Sequence, residues 1–353
     1  MDNTHSNRGQ LRRFDPRDPA FLRMGRYDPA EPACMLWWSG SGIRLRAACR
    51  RLEIEARIPD SEHIPWLAVT LDGAPVARFP MLPGEHRYPV LEGMDPAVSH
   101  EVALYRDTQP HDTDLGPISL TALYMDGDPR PAQPNLRIVE FIGDSLTVGE
   151  GLMGGADAME WRMSWISNTF AFPTLAAARL RAEKRVVALG GWGVWRSWDG
   201  DPACRIGRIY RQLCGVVPGG EVPYDFNQHR PSDAVVINLG TNDTSALAEL
   251  PEEAQPDARE AITRRAVELM ETVREVAPNA AILWAYGLCG GVLAEPLRKA
   301  VALRQGAGDD RVRYLALTDC GDDLGSRQHP GRAAHARAAR EIAEALEPML
   351  RWR

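Results

Sequence analysis

The stretch Ile138-Val-Glu-Phe-Ile-Gly-Asp-Ser-Leu-Thr-Val-Gly149 is where this chain could do chemistry. Its β-branched and aromatic run breaks off at Gly143-Asp144-Ser145, the pattern of a buried strand that ends in a turn. In open α/β sheets ligands sit outside the carboxyl ends of the strands, so Ser145 stands at a working position. A serine hydroxyl is a weak nucleophile until a base takes its proton and donors await the oxyanion. The rest of the chain must supply both.

The elements able to position them form two groups. From Asn135 onward, apolar runs at 138–142, 186–189, 234–239, 280–286 and 312–317 alternate with helical stretches. Apolar residues recur at helical spacing at Ile262, Ala266, Leu269, Val273 and Val276, and again at Ala336, Ala339, Ile342, Ala343 and Leu346. This alternation predicts an α/β fold, a parallel sheet with helices on both faces. Between 34 and 126 the pattern is short strands and turns, with a hairpin signal at Asp72-Gly73, which predicts a β-sandwich or jelly roll. Residues 127–134 read as a linker and 135–353 as the catalytic domain. Residues 1–33, with three Asp-Pro pairs, read as an extended arm.

Gly143-Asp-Ser-Leu146 resembles the signature of the GDSL, or SGNH, hydrolases, whose sheet is flavodoxin-like. Val186-Val-Ala-Leu-Gly-Gly-Trp-Gly193, Asn238-Leu-Gly-Thr-Asn-Asp243 and His329-Pro330 fall in that family's order, each at a strand end or before the last helix. The resemblance implies Ser145 as nucleophile and His329 as base. It implies an oxyanion hole of the Ser145 N–H, the Gly193 N–H and the Asn242 side chain, with Gly191 the competing glycine. Such donors are worth roughly 3–4 kcal/mol each in other hydrolases. The family usually has an aspartate three residues before the histidine, where this chain has Ser326. A Ser–His dyad with the ring oriented by Ser326 or a backbone carbonyl is the favoured reading, with Asp322 and Asp323 as alternatives. Met24-Gly-Arg-Tyr27, Trp38-Ser-Gly-Ser-Gly-Ile43 and the strands after them extend the resemblance to carbohydrate esterase family 2, a jelly roll joined to an SGNH domain. That implies removal of O-acetyl groups from oligosaccharides without metal or cofactor.

Each residue also has an ordinary structural reading. Ser145 could merely cap a helix, and Asn242 and Asp243 could form an Asx turn. Asp144 is expected to bond backbone amides at the elbow, and His335 to pack within the last helix. Trp192 and Trp195, with Asp243, are candidate substrate contacts. Trp161, Trp165 and Trp198 could equally line an acceptor groove or fill core. Residues 154–168 read as a lid or wall, and Arg44, Arg46, Arg50 and Arg51 as a solvated face.

The net charge of −7 argues against nucleic-acid binding. The six cysteines show no C-x-x-C pair and no clustering with histidine, so no metal site is expected. No apolar run reaches the ~18 residues of a membrane span, and Met1–Arg13 has no apolar signal core, so a cytoplasmic protein with reduced thiols is expected. A dimer through a sandwich edge or the 1–33 segment is conceivable, without a sequence warrant for a number. The leading expectation is an acetylesterase acting on small-molecule or oligosaccharide esters. An esterase or thioesterase for longer acyl chains, and a carbohydrate-binding protein with a degenerate site, are the alternatives.

Overall fold

The computed structural model describes residues 10–350. Its N-terminal part is built from β1 (Arg12–Phe14), β2 (Leu22–Met24), β3 (Cys34–Leu36), β4 (Gly42–Ala47), β5 (Arg51–Ile58), β6 (Trp66–Leu71), β7 (Ala74–Pro80), β8 (Gly84–Glu92), β9 (His100–Arg106), β10 (Ile118–Met125) and β11 (Pro129–Pro131). They form two antiparallel sheets, β1-β10-β5-β8 with β3 also on β10, and β11-β4-β9-β6-β7 with β2 also on β4. Inward residues of both sheets, including Leu45, Ile54, Val69, Leu104 and Leu120, share one core, so the sheets face each other as a sandwich. The segment expected to be an extended arm is stitched into this sandwich. β1 pairs with β10 and β2 with β4, leaving only residues 1–9 outside the description. The linker likewise carries β11, paired to β4. β8 escaped sequence reading because its first half, Gly84 to Arg87, is exposed and without an apolar residue, which masks its pairing with β5.

The second part contains β12 (Arg137–Gly143), α1 (Ser145–Val148), α2 (Phe172–Arg179), β13 (Ala182–Ala188), α3 (Ile206–Ile209), β14 (Ala234–Asn238), α4 (Thr241–Ala248), α5 (Gln255–Val276), β15 (Ala281–Tyr286), α6 (Ala294–Gly306), β16 (Val312–Ala316) and α7 (Arg332–Leu350). The strands are parallel in the order β13-β12-β14-β15-β16, the flavodoxin-like arrangement. Alternate residues face opposite layers. Val139, Phe141 and Val236 pack under α2 and α7, whereas Ile142, Val235 and Ile237 pack under α5. On α7 the buried stripe runs through Ala334, His335 and Ala338, whereas Ala336 is exposed.

The two parts share core. Trp37 and Trp38, just after β3, lie in the cluster beneath α5, and the Trp38 indole N–H donates to Leu213 O at 2.8 Å. Arg26, 1% exposed, pairs with Glu140 on β12 at 2.9 Å and donates to the carbonyls of Tyr210 and Gln212. Arg44 is no solvated residue either, bonding Glu183 of β13 at 3.1 Å. Arg26→Met would leave Glu140 buried with only the Tyr210 hydroxyl, and breaking buried pairs of this kind costs about 3–5 kcal/mol, which chemical denaturation of the variant should show.

His335 lies fully buried against Phe172, and its Nδ1 accepts from the Phe172 N–H at 3.1 Å. Burial pushes its imidazole down to about 3 from 6.5. The unfolded chain therefore binds a proton below 6.5 that the folded chain refuses, and stability falls as pH drops through that window. The expected loss is about 2 kcal/mol between pH 6.5 and 5 at roughly 1.4 kcal/mol per unit, and His335→Gln should flatten that part of the curve in denaturation at pH 7 and pH 5.

Candidate active site

A cavity of about 450 Å³ opens at the carboxyl end of the parallel sheet, where strand order reverses around β12. Its walls include Ser145, Glu150, Gly190, Gly191, Trp192, Asn242, Arg327 and His329, with Trp161 and Trp198 at the sides and Gln109, His111 and Asp112 reaching in from the sandwich.

The nucleophile wall starts at Gly143. A Cβ there would stand 1.9 Å from Thr147 Oγ1, so only glycine lets the strand turn this tightly. Asp144, buried, caps α1 by accepting from the Leu146 N–H at 3.0 Å, and burial pushes its carboxyl up to about 8. Ser145 thus opens α1, 6% exposed and bordering the cavity. α1 lasts one turn, closed by Gly149 at φ +84°.

The donor wall is held by Asp243. This side chain, fully buried, accepts from the N–H groups of Val194 (2.9 Å), Trp195 (2.7 Å) and Arg196 (3.0 Å). Asp243 was a candidate substrate contact, but its carboxylate faces backbone and not the cavity. Gly193 is corrected for the same reason. Its Cβ would lie 2.6 Å from both Asp243 oxygens, its N–H donates to Cys204 O at 3.4 Å, and it does not line the cavity. Gly191 does line it, at φ +82°, and among the described residues no acceptor takes its N–H. Trp195 also misses the cavity, lying under the Arg196 guanidinium at 4.3 Å, whereas Trp192 and Trp198 border it. Asn242 donates through Nδ2 to Trp192 O at 2.9 Å and to Asp144 Oδ2 at a long 3.4 Å, so a ligand oxygen would have to displace only the weaker of its two acceptors.

His329 arrives on a tight loop beyond β16. Gly325 N–H donates to His329 O, Ser326 N–H to Gly151 O, and Arg327 N–H to Ala158 O. Arg327 and Gln328 both adopt left-handed backbone, φ +55° and +57°, costing about 1–2 kcal/mol each. His329 Nδ1 lies 3.2 Å from Arg327 O; a carbonyl only accepts, so Nδ1 carries the hydrogen and Nε2 is left basic. None of the three candidate third members has its side chain there. Asp323 instead caps α7 through the Ala334 N–H, Asp322 is exposed, and Ser326 meets His329 through its backbone carbonyl. Ser145 and His329 border one cavity without a direct hydrogen bond, a contact that commonly tightens only when substrate binds.

With the elbow, donor wall and histidine loop around one cavity, the family follows. Residues 141–346 match the GDSL-like Lipase/Acylhydrolase family. The chain belongs to it. Along its whole length the hydrolase is also similar to an acetylxylan esterase / glucomannan deacetylase of Cellvibrio japonicus, 26% identical over 99% of this chain and 95% of that protein. It is 25% identical to a cellulase/esterase of Acetivibrio thermocellus over 96% of this chain, and spans only 40% of that protein's length. Among solved structures, an acetyl xylan esterase from the rumen bacterium Butyrivibrio proteoclasticus superposes with a TM-score of 0.91 at 26% identity, covering 97% of this chain and 100% of that one.

Glu150, Arg327, Gln109, His111 and Asp112 were not foreseen as site residues of this hydrolase. Glu150 lies five residues past Ser145 and Arg327 two before His329, so proximity in sequence could have found both. The Gln109–Asp112 loop carries no such signal, because only tertiary packing brings it to Gly190, whose N–H donates to Gln109 Oε1 at 2.8 Å.

Gly151, at φ +85°, is the contact surface between the serine and histidine walls; a Cβ would fall 2.7 Å from Ser326 O and 2.9 Å from the His329 Cβ. Gly151→Ala should displace the histidine loop and lower kcat about a hundredfold in steady-state ester hydrolysis, while the far-ultraviolet circular dichroism stays unchanged.

Proposed function

We propose that this hydrolase is a carbohydrate O-acetylesterase of the carbohydrate esterase family 2 type, working through a Ser–His dyad. The observation that carries the reading is the convergence of Ser145, the free Gly191 N–H, the Asn242 amide and His329 on one tryptophan-walled cavity, in a chain similar throughout to acetylxylan esterases. His329 Nε2 takes the Ser145 proton as Oγ attacks the acetyl carbonyl. The oxyanion meets the N–H groups of Ser145 and Gly191 and the Asn242 amide. His329 then returns the proton to the departing sugar hydroxyl, and water activated by the same nitrogen releases acetate. Arg327 O holds the ring throughout.

Trp161, Trp192 and Trp198 line the cavity, and indole rings are surfaces on which sugars stack; Trp198 is 61% exposed. The six cysteines are unpaired, which supports action in a reducing compartment.

The test is hydrolysis of 4-nitrophenyl acetate. Ser145→Ala and His329→Ala should each lose at least about a thousandfold in kcat/KM, with Asp322→Ala near wild type and Asp323→Ala losing about 1 kcal/mol of stability through its helix cap but not activity. Acetate should be preferred to octanoate. An inert wild type that still binds acetylated xylan would replace the esterase by a binding protein.

A further inference from the structure

The dyad leaves one electrostatic need unmet. When His329 takes the serine proton it becomes a cation, and its Nδ1 partner is a neutral carbonyl, which orients the ring but offsets little charge. Among the described residues, two carboxylates border the cavity, Glu150 and Asp112. The Asp112 side chain is 80% exposed and lies 2.9 Å from His111, so water and that ring screen it. Glu150 is different. Its side chain is 6% exposed, and its Oε1 lies 3.8 Å from His329 Nε2, the nitrogen that gains the proton. That distance exceeds a hydrogen bond, so the carboxylate leaves Nε2 open to Ser145 while remaining close enough to act by charge in a poorly hydrated place.

The same oxygen accepts from Arg327 at 2.5 Å. Arg327 is therefore bound to the dyad twice, its carbonyl holding Nδ1 and its guanidinium holding Glu150. Glu150 is in turn tied to the nucleophile turn, since its N–H donates to Ser145 O at 3.0 Å. One residue thus connects the backbone of the serine with the ring of the base and with the left-handed turn that presents it.

We propose that Glu150 is the charge-balancing and positioning residue of the dyad, replacing from the Nε2 side the aspartate that this chain lacks on the Nδ1 side, with Arg327 setting how much of its charge the imidazolium receives. The inference rests on the Ser145–His329 reading. Glu150 transfers no proton; the proton passes from Ser145 Oγ to Nε2 and on to the leaving alcohol. The other charged or titratable groups around the ring and Glu150 are Arg327, His335, Asp144, whose buried carboxyl feels the Glu150 charge, and His111 and Asp112 of the cavity wall.

The experiment is the pH profile of kcat/KM for 4-nitrophenyl acetate in wild type, Glu150→Gln, Glu150→Asp and Arg327→Met. Glu150→Gln keeps the shape and removes the charge. It should lower kcat about tenfold with KM within about twofold, and move the acid limb to lower pH, because the imidazolium loses its counter-charge. Glu150→Asp should keep the limb closer to wild type. Arg327→Met, at a side chain 39% exposed, leaves the carbonyl in place and unmasks Glu150, so the limb should move to higher pH. Opposite displacements are the signature, since loosening of the loop alone would not reverse sign with the charge removed. Superimposable profiles, or displacement in one direction in both variants, overturn the proposal. Should Glu150→Gln fail to fold, Arg327→Met decides, an unmoved or lowered limb counting against. A wild type inert on the ester would sink the esterase reading instead, and titration of the His329 ring protons by nuclear magnetic resonance in wild type and Arg327→Met would still read the coupling.

Discussion

The Asp243 carboxylate, closed off from water and satisfied by three consecutive backbone N–H groups, is the constraint on which the site's geometry depends. Burying a carboxyl is costly, and its raised pKa reflects that desolvation, against which the hydrogen bonds work. Because the bonded amides belong to Val194, Trp195 and Arg196, the loop after β13 cannot relax away from α4. Asn242, next in the chain, closes the same seam from the other side by donating to Trp192 O. Gly191, whose N–H has no acceptor among the described residues, therefore borders a cavity whose shape is set one layer below it. Glycine at 193 belongs to that lower layer, where nothing larger fits beside the carboxylate.

This explains which parts of the site were legible in the sequence. Ser145, Asn242 and His329 sit at strand ends or before a helix, positions marked by apolar runs and turn residues that a linear pattern preserves. Gly193 against Gly191 is a different problem. Both glycines follow the same strand, and the choice between them depends on where Asp243, fifty residues on, places its oxygens. Asp322 and Asp323 are alternatives to the dyad by nearness in sequence, and Gly325, which lies between them and His329, is spent on close packing. A Cβ there would sit 2.3 Å from Gly151 O, so the glycine permits contact between walls and not freedom of the loop.

The fold was legible to a similar depth. Apolar runs located the parallel strands, β13 only over its last three residues because its first half is charged, and helical periodicity located the two long amphipathic helices, since burial makes such segments apolar or cleanly striped. β1, β2 and β11 are three residues each, too short for any periodicity, and they exist because β4 and β10 offer unsatisfied edges. In the sequence Arg44 reads as part of a solvated face, and Arg26 only as part of the Met24–Tyr27 stretch. They are interface residues, and a sequence holds no sign that the opposite carboxylates, Glu140 and Glu183, lie on the parallel sheet.

The interface also carries an argument about why a sandwich is attached to this hydrolase at all. The parallel sheet alone ends at β13, whose outer edge has no strand partner within the sheet. The sandwich covers it with Lys184 of β13 under the Tyr105 ring at 4.6 Å, and with Gln109 holding Gly190. Gly190 immediately precedes the oxyanion candidate Gly191. The sandwich thus fixes the donor loop from outside while Asp243 fixes it from inside, and the Trp38–Leu213 and Arg26–Glu140 bonds keep the two parts from separating. Placement of the donor loop is in this way a property of both parts together. A hydrolase sheet stripped of its sandwich would keep Ser145 and His329 on their own loops, but would lose the outer half of the clamp that aims Gly191.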